Sequence, residues 1–301
     1  MENNDSVLVT IIINNYNYAD FINKAIDSSL EQTYSNIEII VVDDGSKDFS
    51  RKYIDEYGDK IIPIFKENGG QASAFNEGFK AAKGELVLFL DSDDYLLINA
   101  IEEVVDVYKK NENISKVQFK LRRMVEGDLT NDTSPIYFEN ENNEEIREQI
   151  IRKWWYNTPP TSGNVFTLNF LRMIMPIPEK EYRICADEYL CIHAPFKGNI
   201  YTLDKVLGIY RIHGKNNWSC KDGDIELSSL KNLYSRTKTR KELMKSIYEY
   251  LGISKELLQY PFWYWRMRLI LNKTNLCLSS VLFSKVGNIG KIIRNLYTNR
   301  I

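Results

Sequence analysis

The sequence predicts an α/β fold, a mostly parallel sheet flanked by helices and followed by a helical C-terminal extension. Three observations carry this. Short apolar runs rich in β-branched residues alternate with segments of helical period. The joints between them are short and polar. The apolar runs are continuous, as strands covered on both faces require.

Each element follows in order. "VLVTIII" (7–13) is a buried strand, and "NNYNYAD" is a polar loop after it. "FINKAIDSSLEQ" sets Phe21, Ile22, Ala25, Ile26 and Leu30 on one helical face. "IEIIVV" (37–42) is a second strand that stops at "DDGSKD", and "KIIPIF" (60–65) is a third. "GGQASAFNEGFKAAKG" is a helix entered through two glycines, with Ala72, Phe75, Phe79 and Ala82 inward. "ELVLFL" (85–90) is a further strand and "AIEEVVDVYKKN" a further helix. In such sheets ligands bind beyond the carboxyl ends of the strands, so "NNYNY", "DDGS" and "DSDD" should line one crevice. Past residue 115 the pattern loosens. "EGDLTNDTSP" and "ENENNEE" read as surface excursions, and "KWWYNTPPTSGNVF" as a ligand-lining loop. "CADEYLCIHAPFKG" is a short helix, "LGIYRIHGKNN" a strand entering a loop, and 224–260 is helical.

The expected division is therefore a domain over 1–223, with a nucleotide-binding half (1–115) and an acceptor half (116–223), then a helical region over 224–301. The 44% apolar and 27% charged shares are those of an ordinary globular chain. No run of eighteen apolar residues occurs, and "MENNDSVLVT" lacks the basic and apolar regions of a secretory signal. Cys185, Cys191, Cys220 and Cys277 show no metal-ligand spacing and read as reduced thiols, which sets the expected location as cytoplasmic. A formal charge of −2 predicts no nucleic-acid partner. Residues 261–301 contain seven basic residues and no acid, so a +7 tail follows a body of about −9.

"FLDSDDYLL" puts Asp91, Asp93 and Asp94 within four positions at a strand end, where like charges repel unless a cation joins them. A calcium loop fails because Leu96 stands where glycine is required. An aspartyl-phosphate nucleophile lacks its hydroxyl-rich loop, and a helix cap needs only one acid. A divalent cation shared with phosphates, Mg2+ or Mn2+, suits hard oxygen ligands.

"VTIIINNYNYADFINKAIDSSLEQTYSNIEIIVVDDGSKD" followed by "NGGQASAFNEGFKAAKGELVLFLDSDD" resembles the nucleotide-binding half of the family 2 inverting glycosyltransferases, and the resemblance extends over residues 7 to about 217. It implies the GT-A fold, a single Rossmann-like α/β domain, and a nucleoside-diphosphate sugar as donor, with UDP the expected nucleotide. It implies that Asn15 and Tyr16 bind the base, that Asp43 or Asp44 accepts a uracil N–H, and that Gln71 and Asn76 lie at ribose and phosphates. Asp93 and Asp91 match the metal motif, with Asp91 also near the sugar or ribose. In "CADEYL" Asp187 matches the catalytic base, with Glu188 beside it. Ser162, Gly163 and Asn164 match the donor-sugar loop. In "YRIHGKNN" His213 matches a metal ligand and Arg211 a phosphate or structural contact. The implied acceptor is a glycan, lipid-linked or protein hydroxyl, in bacterial surface-polysaccharide synthesis.

The tail joins Phe262, Trp263 and Trp265 to Arg266 and Arg268, then spaces Val286, Ile289, Ile293 and Leu296 among Lys285, Lys291 and Arg294. This suits the inner face of a plasma membrane, or equally packing on protein, including a second copy. Two rival functions keep the same sheet. A sugar-1-phosphate nucleotidyltransferase would want a glycine-rich basic signature where "NNYNYAD" stands, and a non-catalytic sugar-nucleotide or glycan-binding module would not need Asp93, Asp187 and His213 together. No G-x-G-x-x-G follows the first strand, which disfavours a dehydrogenase.

Overall fold

The computed structural model describes residues 6–138, 142–214, 216 and 227–252, with only the backbone of 227–238. Its first half is built from the apolar runs. β1 (Val9–Asn15), β2 (Ile37–Asp43), β3 (Ile62–Phe65) and β4 (Leu86–Asp91) pair in parallel in the order β3-β2-β1-β4. Ile11, Ile12, Ile13, Ile40, Val41 and Val42 are all fully buried, so consecutive side chains on both faces of the sheet are covered. Each such side chain contributes about 1.5–3 kcal/mol of hydrophobic stabilisation.

The faces have different covers. α1 (Ala19–Leu30) brings Ile22, Ala25 and Ile26, and α4 (Ala100–Lys110) brings Ile101 and Val104, to one core with Ile11, Ile13 and Leu88. Leu30, expected inward, is 39% exposed because it closes the last turn of α1, beyond the face that meets the sheet. α3 (Gln71–Ala81) covers the opposite face, where Phe75 stacks on Phe89 at 4.1 Å and Phe89 tilts against Phe166 at 6.3 Å. A short helix, α2 (Ser50–Asp55), precedes β3.

Beyond β4 the sheet turns antiparallel. β5 (Tyr95–Leu96), β6 (Ile114–Val125), β8 (Asn164–Thr167) and β9 (Asn199–Ile212) continue it in the order β4-β8-β6-β9-β5, and β7 (Asp128–Ser134) pairs antiparallel with β6. α5 (Asn143–Lys153), α6 (Leu168–Ile174), α7 (Ala186–Lys197) and α8 (Leu227–Tyr250) complete the described elements.

Two stretches expected as surface excursions contain regular structure among their described residues. "EGDLTNDTSP" is the turn and second strand of a hairpin, in which Glu126 (φ 52°) and Gly127 (φ 97°) reverse the chain. β7 is polar and largely exposed, so backbone pairing with β6, not apolar burial, makes it a strand. Of "ENENNEE", the described residues 142–145 lead into α5. There Asn142 Oδ1 accepts from the backbone N–H groups of Glu144 and Glu145, both at 3.0 Å, and Glu145 Oε2 accepts from Asn142 N at 3.3 Å. That reciprocal pair is a capping box.

The chain divides into two compact units, Met1–Glu148 with Trp155–Arg211, and Gln149–Trp154 with Ile212–Ile301. In the second, Met244, Ile247 and Tyr248 of α8 are buried, and Tyr248 donates to the Ile151 carbonyl at 3.1 Å. No helix of the described residues is long and apolar enough to cross a membrane. Residues 253–301, with the basic aromatic tail, lie outside the described residues, as do Cys220 and Cys277.

Candidate active site

The crevice begins at the end of β1. The parallel register sets Asn14 beside Asp91 on β4 and Asn15 beside Asp43 on β2. Neighbouring strand residues point to opposite faces, so the two asparagines serve two different carboxylates. Asn14 Nδ2 donates to Asp91 Oδ1 at 2.9 Å, and Asn15 Nδ2 donates to Asp43 Oδ2 at 2.9 Å. Oδ1 of Asn14 and Oδ1 of Asn15 are buried acceptors with no hydrogen-bond partner. Buried unmatched acceptors are uncommon, and here they mark a place for a donor or a cation. Asn14 escaped the sequence reading; its signal was its place one residue before Asn15 at a strand end.

Tyr16 is 43% exposed, open to stacking. Asp43 is fully buried and also accepts from Ser46 N at 2.9 Å. Asp44 is taken up completely. Its Oδ1 accepts from Lys66 Nζ (2.6 Å) and Gly69 N (2.8 Å), and its Oδ2 from Asn68 Nδ2 (3.1 Å) and Gly70 N (2.7 Å). With four donors on two oxygens, Asp44 shapes the 66–70 loop in this structure and does not offer a vacant acceptor to a base.

Asp91, Asp93 and Asp94 come together, each offering a carboxylate oxygen with all three within 4.8 Å of one another. Burial, and next Asp93, push Asp91 up to about 7; Asp187 adds to the rise and the Asn14 hydrogen bond opposes it. Burial, then Asp93 and Asp91, hold Asp94 well above the usual carboxylate range. The same three acids, after burial, raise the Tyr18 phenol. Ser162 Oγ donates to Asp94 Oδ2 at 2.6 Å and Arg211 N donates to Asp94 Oδ1 at 3.0 Å, so Asp94 braces the site. The Arg211 guanidinium lies over the rings of Tyr95 (4.9 Å) and Phe21 (5.2 Å) and close to Asp94 and Asp93.

Hard carboxylate oxygens, raised proton affinity and the open Asn14 carbonyl fit a small divalent cation, with Asp93 and Asp91 as the ligands of choice.

α7 brings the remaining acids. Its N-cap, Cys185, sits at φ 65° with no side-chain cap bond. Asp187 is half-buried and near enough to raise Asp91, whereas Glu188 is 5% exposed. Of the two acids, Asp187 has the access a base requires.

Several expected donor contacts are spent on the protein itself. Asn76 donates to the Ile177 carbonyl (2.9 Å) and accepts from Ile177 N (2.8 Å), pinning the 176–179 segment to α3. Asn164 is fully buried; it donates to the Pro160 carbonyl (2.8 Å) and accepts from Lys116 Nζ (2.9 Å). At Gly163 a Cβ would lie 2.7 Å from the Phe119 carbonyl, so the glycine admits the close approach of β6. Ser162 braces both acids, accepting from Asp91 N at 3.2 Å. His213 belongs to the second unit, where Asn216 N donates to its carbonyl at 3.1 Å.

Lys116 was not foreseen. Its amine is buried among Tyr156 Oη (2.7 Å), Thr158 Oγ1 (2.9 Å), Asn164 Oδ1 (2.9 Å) and Cys191 Sγ (3.8 Å). Burial pulls it down to about 8, against the pull of Cys191 and Asp187. Cys191 lies one helical turn from Asp187, so the lysine sits under the helix that carries Asp187.

A Rossmann-like half-sheet, continued by antiparallel strands and bearing an aspartate cluster where β4 ends, defines the GT-A class of glycosyltransferase folds. The chain belongs to glycosyltransferase family 2: the family model "Glycosyl transferase family 2" matches residues 10–170. It is 40% identical over 215 residues to an uncharacterized glycosyltransferase of Nostoc sp., covering 69% of this chain and 66% of that one. It is 50% identical over 112 residues to an uncharacterized glycosyltransferase of Rickettsia typhi, covering 37% and 35%. The chain thus spans less than two thirds of the length of these curated relatives. The fold is similar to that of S. aureus TarS in complex with UDP, with TM-score 0.58 and 19% identity over 78% of this chain and 65% of that one. It is also similar to the mannosyltransferase PcManGT from Pyrobaculum calidifontis in complex with GDP-Man and Mn2+, with TM-score 0.56 and 14% identity over 97% and 81%. At these identities the likeness speaks for the fold.

Proposed function

We propose that this protein is an inverting, metal-dependent hexosyl- or N-acetylhexosaminyl-transferase that moves a sugar from a nucleoside diphosphate, UDP by preference, to an acceptor hydroxyl. The observation that carries it is the Asp91–Asp93–Asp94 cluster with Asp187 inside its electrostatic reach. Nucleotide sugars bound by the fold's neighbours, UDP in one and GDP-Man with Mn2+ in another, support the donor class.

In this mechanism Tyr16 stacks on the base and Asn15 bonds it. Asp93 and Asp91 hold Mn2+ or Mg2+, which when bound supplies Lewis-acid stabilisation of charge gathering on the diphosphate. Asp187 takes the proton of the acceptor hydroxyl as that oxygen attacks the anomeric carbon from the face opposite the diphosphate. The bond to the nucleoside diphosphate breaks in the same displacement and the configuration inverts. General-base assistance of this kind contributes about 10²- to 10⁴-fold.

The acceptor is a glycan, lipid-linked or protein hydroxyl in bacterial surface-polysaccharide synthesis, in keeping with the bacterial relatives. The basic, aromatic tail suits the inner face of the plasma membrane and equally packing on protein, including a second copy; co-sedimentation with anionic liposomes, comparing the full chain with one ending at 260, decides between them.

Asp187→Asn is expected to abolish transfer while UDP still binds with Mn2+ by calorimetry. Loss of UDP binding in that variant would make the residue structural, and pyrophosphate among the products would establish the nucleotidyltransferase instead.

A further inference from the structure

We propose that Gln71 is a positioning residue, which caps the helix carrying the catalytic base and ties it to the donor-site carboxylates, and is not itself a ligand of the donor. The proposal rests on the assignment of Asp187 as the base.

Three hydrogen bonds tie Gln71 to other segments of the chain. Its backbone N donates to the Arg183 carbonyl at 2.8 Å. Its side-chain Oε1 accepts from Ala186 N at 2.9 Å, and its Nε2 donates to Asp91 Oδ1 at 3.2 Å. The amide orientation is fixed by Ala186, since a backbone N–H can only donate and must therefore meet Oε1.

Ala186 opens α7, and the first N–H groups of a helix have no partner within it. Its N-cap, Cys185, is in the left-handed region and gives no side-chain cap bond to the helix. The cap comes from Gln71, on another helix and 115 residues away in sequence. Asp187 is the next residue, so the bond that closes the helix end also sets where the base stands.

The partner segment is gripped from both sides. Arg183 donates through Nη1 to the Gly69 carbonyl at 3.0 Å and through Nη2 to Asn68 Oδ1. Gly70 lies at φ 92°, and a Cβ there would come 2.5 Å from the Arg183 carbonyl. Gly69 and Gly70 in turn donate to Asp44. Residues 66–71 thus form a strap from the nucleotide end of the crevice to the base, and Gln71 is its last hitch.

The test uses the full chain with Gln71→Met, which fills the space but neither donates nor accepts, and Gln71→Glu, which still accepts from Ala186 N. In Gln71→Met, amide hydrogen exchange should quicken over residues 183–190 and stay unchanged in β1 and β4. The loss should fall on kcat for transfer, by about 10²-fold as a misplaced base predicts, while UDP affinity with Mn2+ and donor KM shift far less, only as much as the lost Asp91 hydrogen bond requires. Gln71→Glu should return exchange over 183–190 to the wild-type rate. Unchanged exchange in Gln71→Met overturns the proposal, as does weakened UDP binding with kcat intact, the signature of a donor ligand. If Asp187→Asn retains transfer, the base assignment fails, while the exchange and UDP measurements still decide the place of Gln71.

Discussion

A buried amine must find acceptors, and Lys116 finds only neutral oxygens and a thiol within hydrogen-bond distance. Its folded value of about 8 lies below the ordinary 10.5, so between those values the unfolded chain holds the extra proton. Stability from this group therefore rises as pH climbs from about 8 towards 10.5, and its cost is fully present below 8. Comparing urea midpoints of wild type and Lys116→Met across that range should show the rise in the first and its absence in the second. Asn14 belongs to the same scale. Removing its amide takes a donor from Asp91 and an acceptor from the crevice, so Asn14→Ala should weaken Mn2+ affinity by about 10- to 100-fold, read by calorimetry. The acids were legible in the sequence because three carboxylates at a strand end need a cation. Lys116 and Asn14 were not, since nothing in a local window shows which strand lies beside which.

At the scale of elements, the strap offers a direct test. Gly70 occupies backbone space that L side chains rarely enter and touches Arg183 where a Cβ would lie. Gly70→Ala should cost about 1–3 kcal/mol in denaturant unfolding. The parallel strands were readable from their apolar runs, and α3 from its two leading glycines. β6 was missed because its buried half includes Ser115, Lys116 and Gln118, polar residues whose hydrogen-bond partners lie far off in sequence. α5 carried a legible signal, Asn142 with Glu145 three residues on, hidden within a stretch of acids and amides that also describes a loop.

For the whole molecule, the acid cluster couples stability to pH and to metal. Asp91 holds its proton to about 7 in the folded chain against an ordinary 3.8, so the folded state carries the extra proton between those values. Without a divalent cation, this contribution is intact below about 4 and is lost as pH rises through 7. Mn2+ should raise the melting temperature most at the upper end, where it no longer competes with protons. At a hundred times its Kd the gain is about 2.7 kcal/mol, and Asp93→Ala should abolish it in a thermal melt. The fold class could be read from the order of elements, whereas the meeting of Asp91 with Asp187, nearly a hundred residues apart, depended on how the chain closes.

The register of β1 has a genetic consequence. Side chains alternate along a strand, so loss of a single codon between Val9 and Ile13 would turn Asn14 and Asn15 each to the other's face. Both amide–carboxylate pairs would be broken in one event, together with the isoleucine layers beneath them. Within this strand, in-frame deletions should be as rare among working descendants as nonsense changes, while exposed loops drift freely.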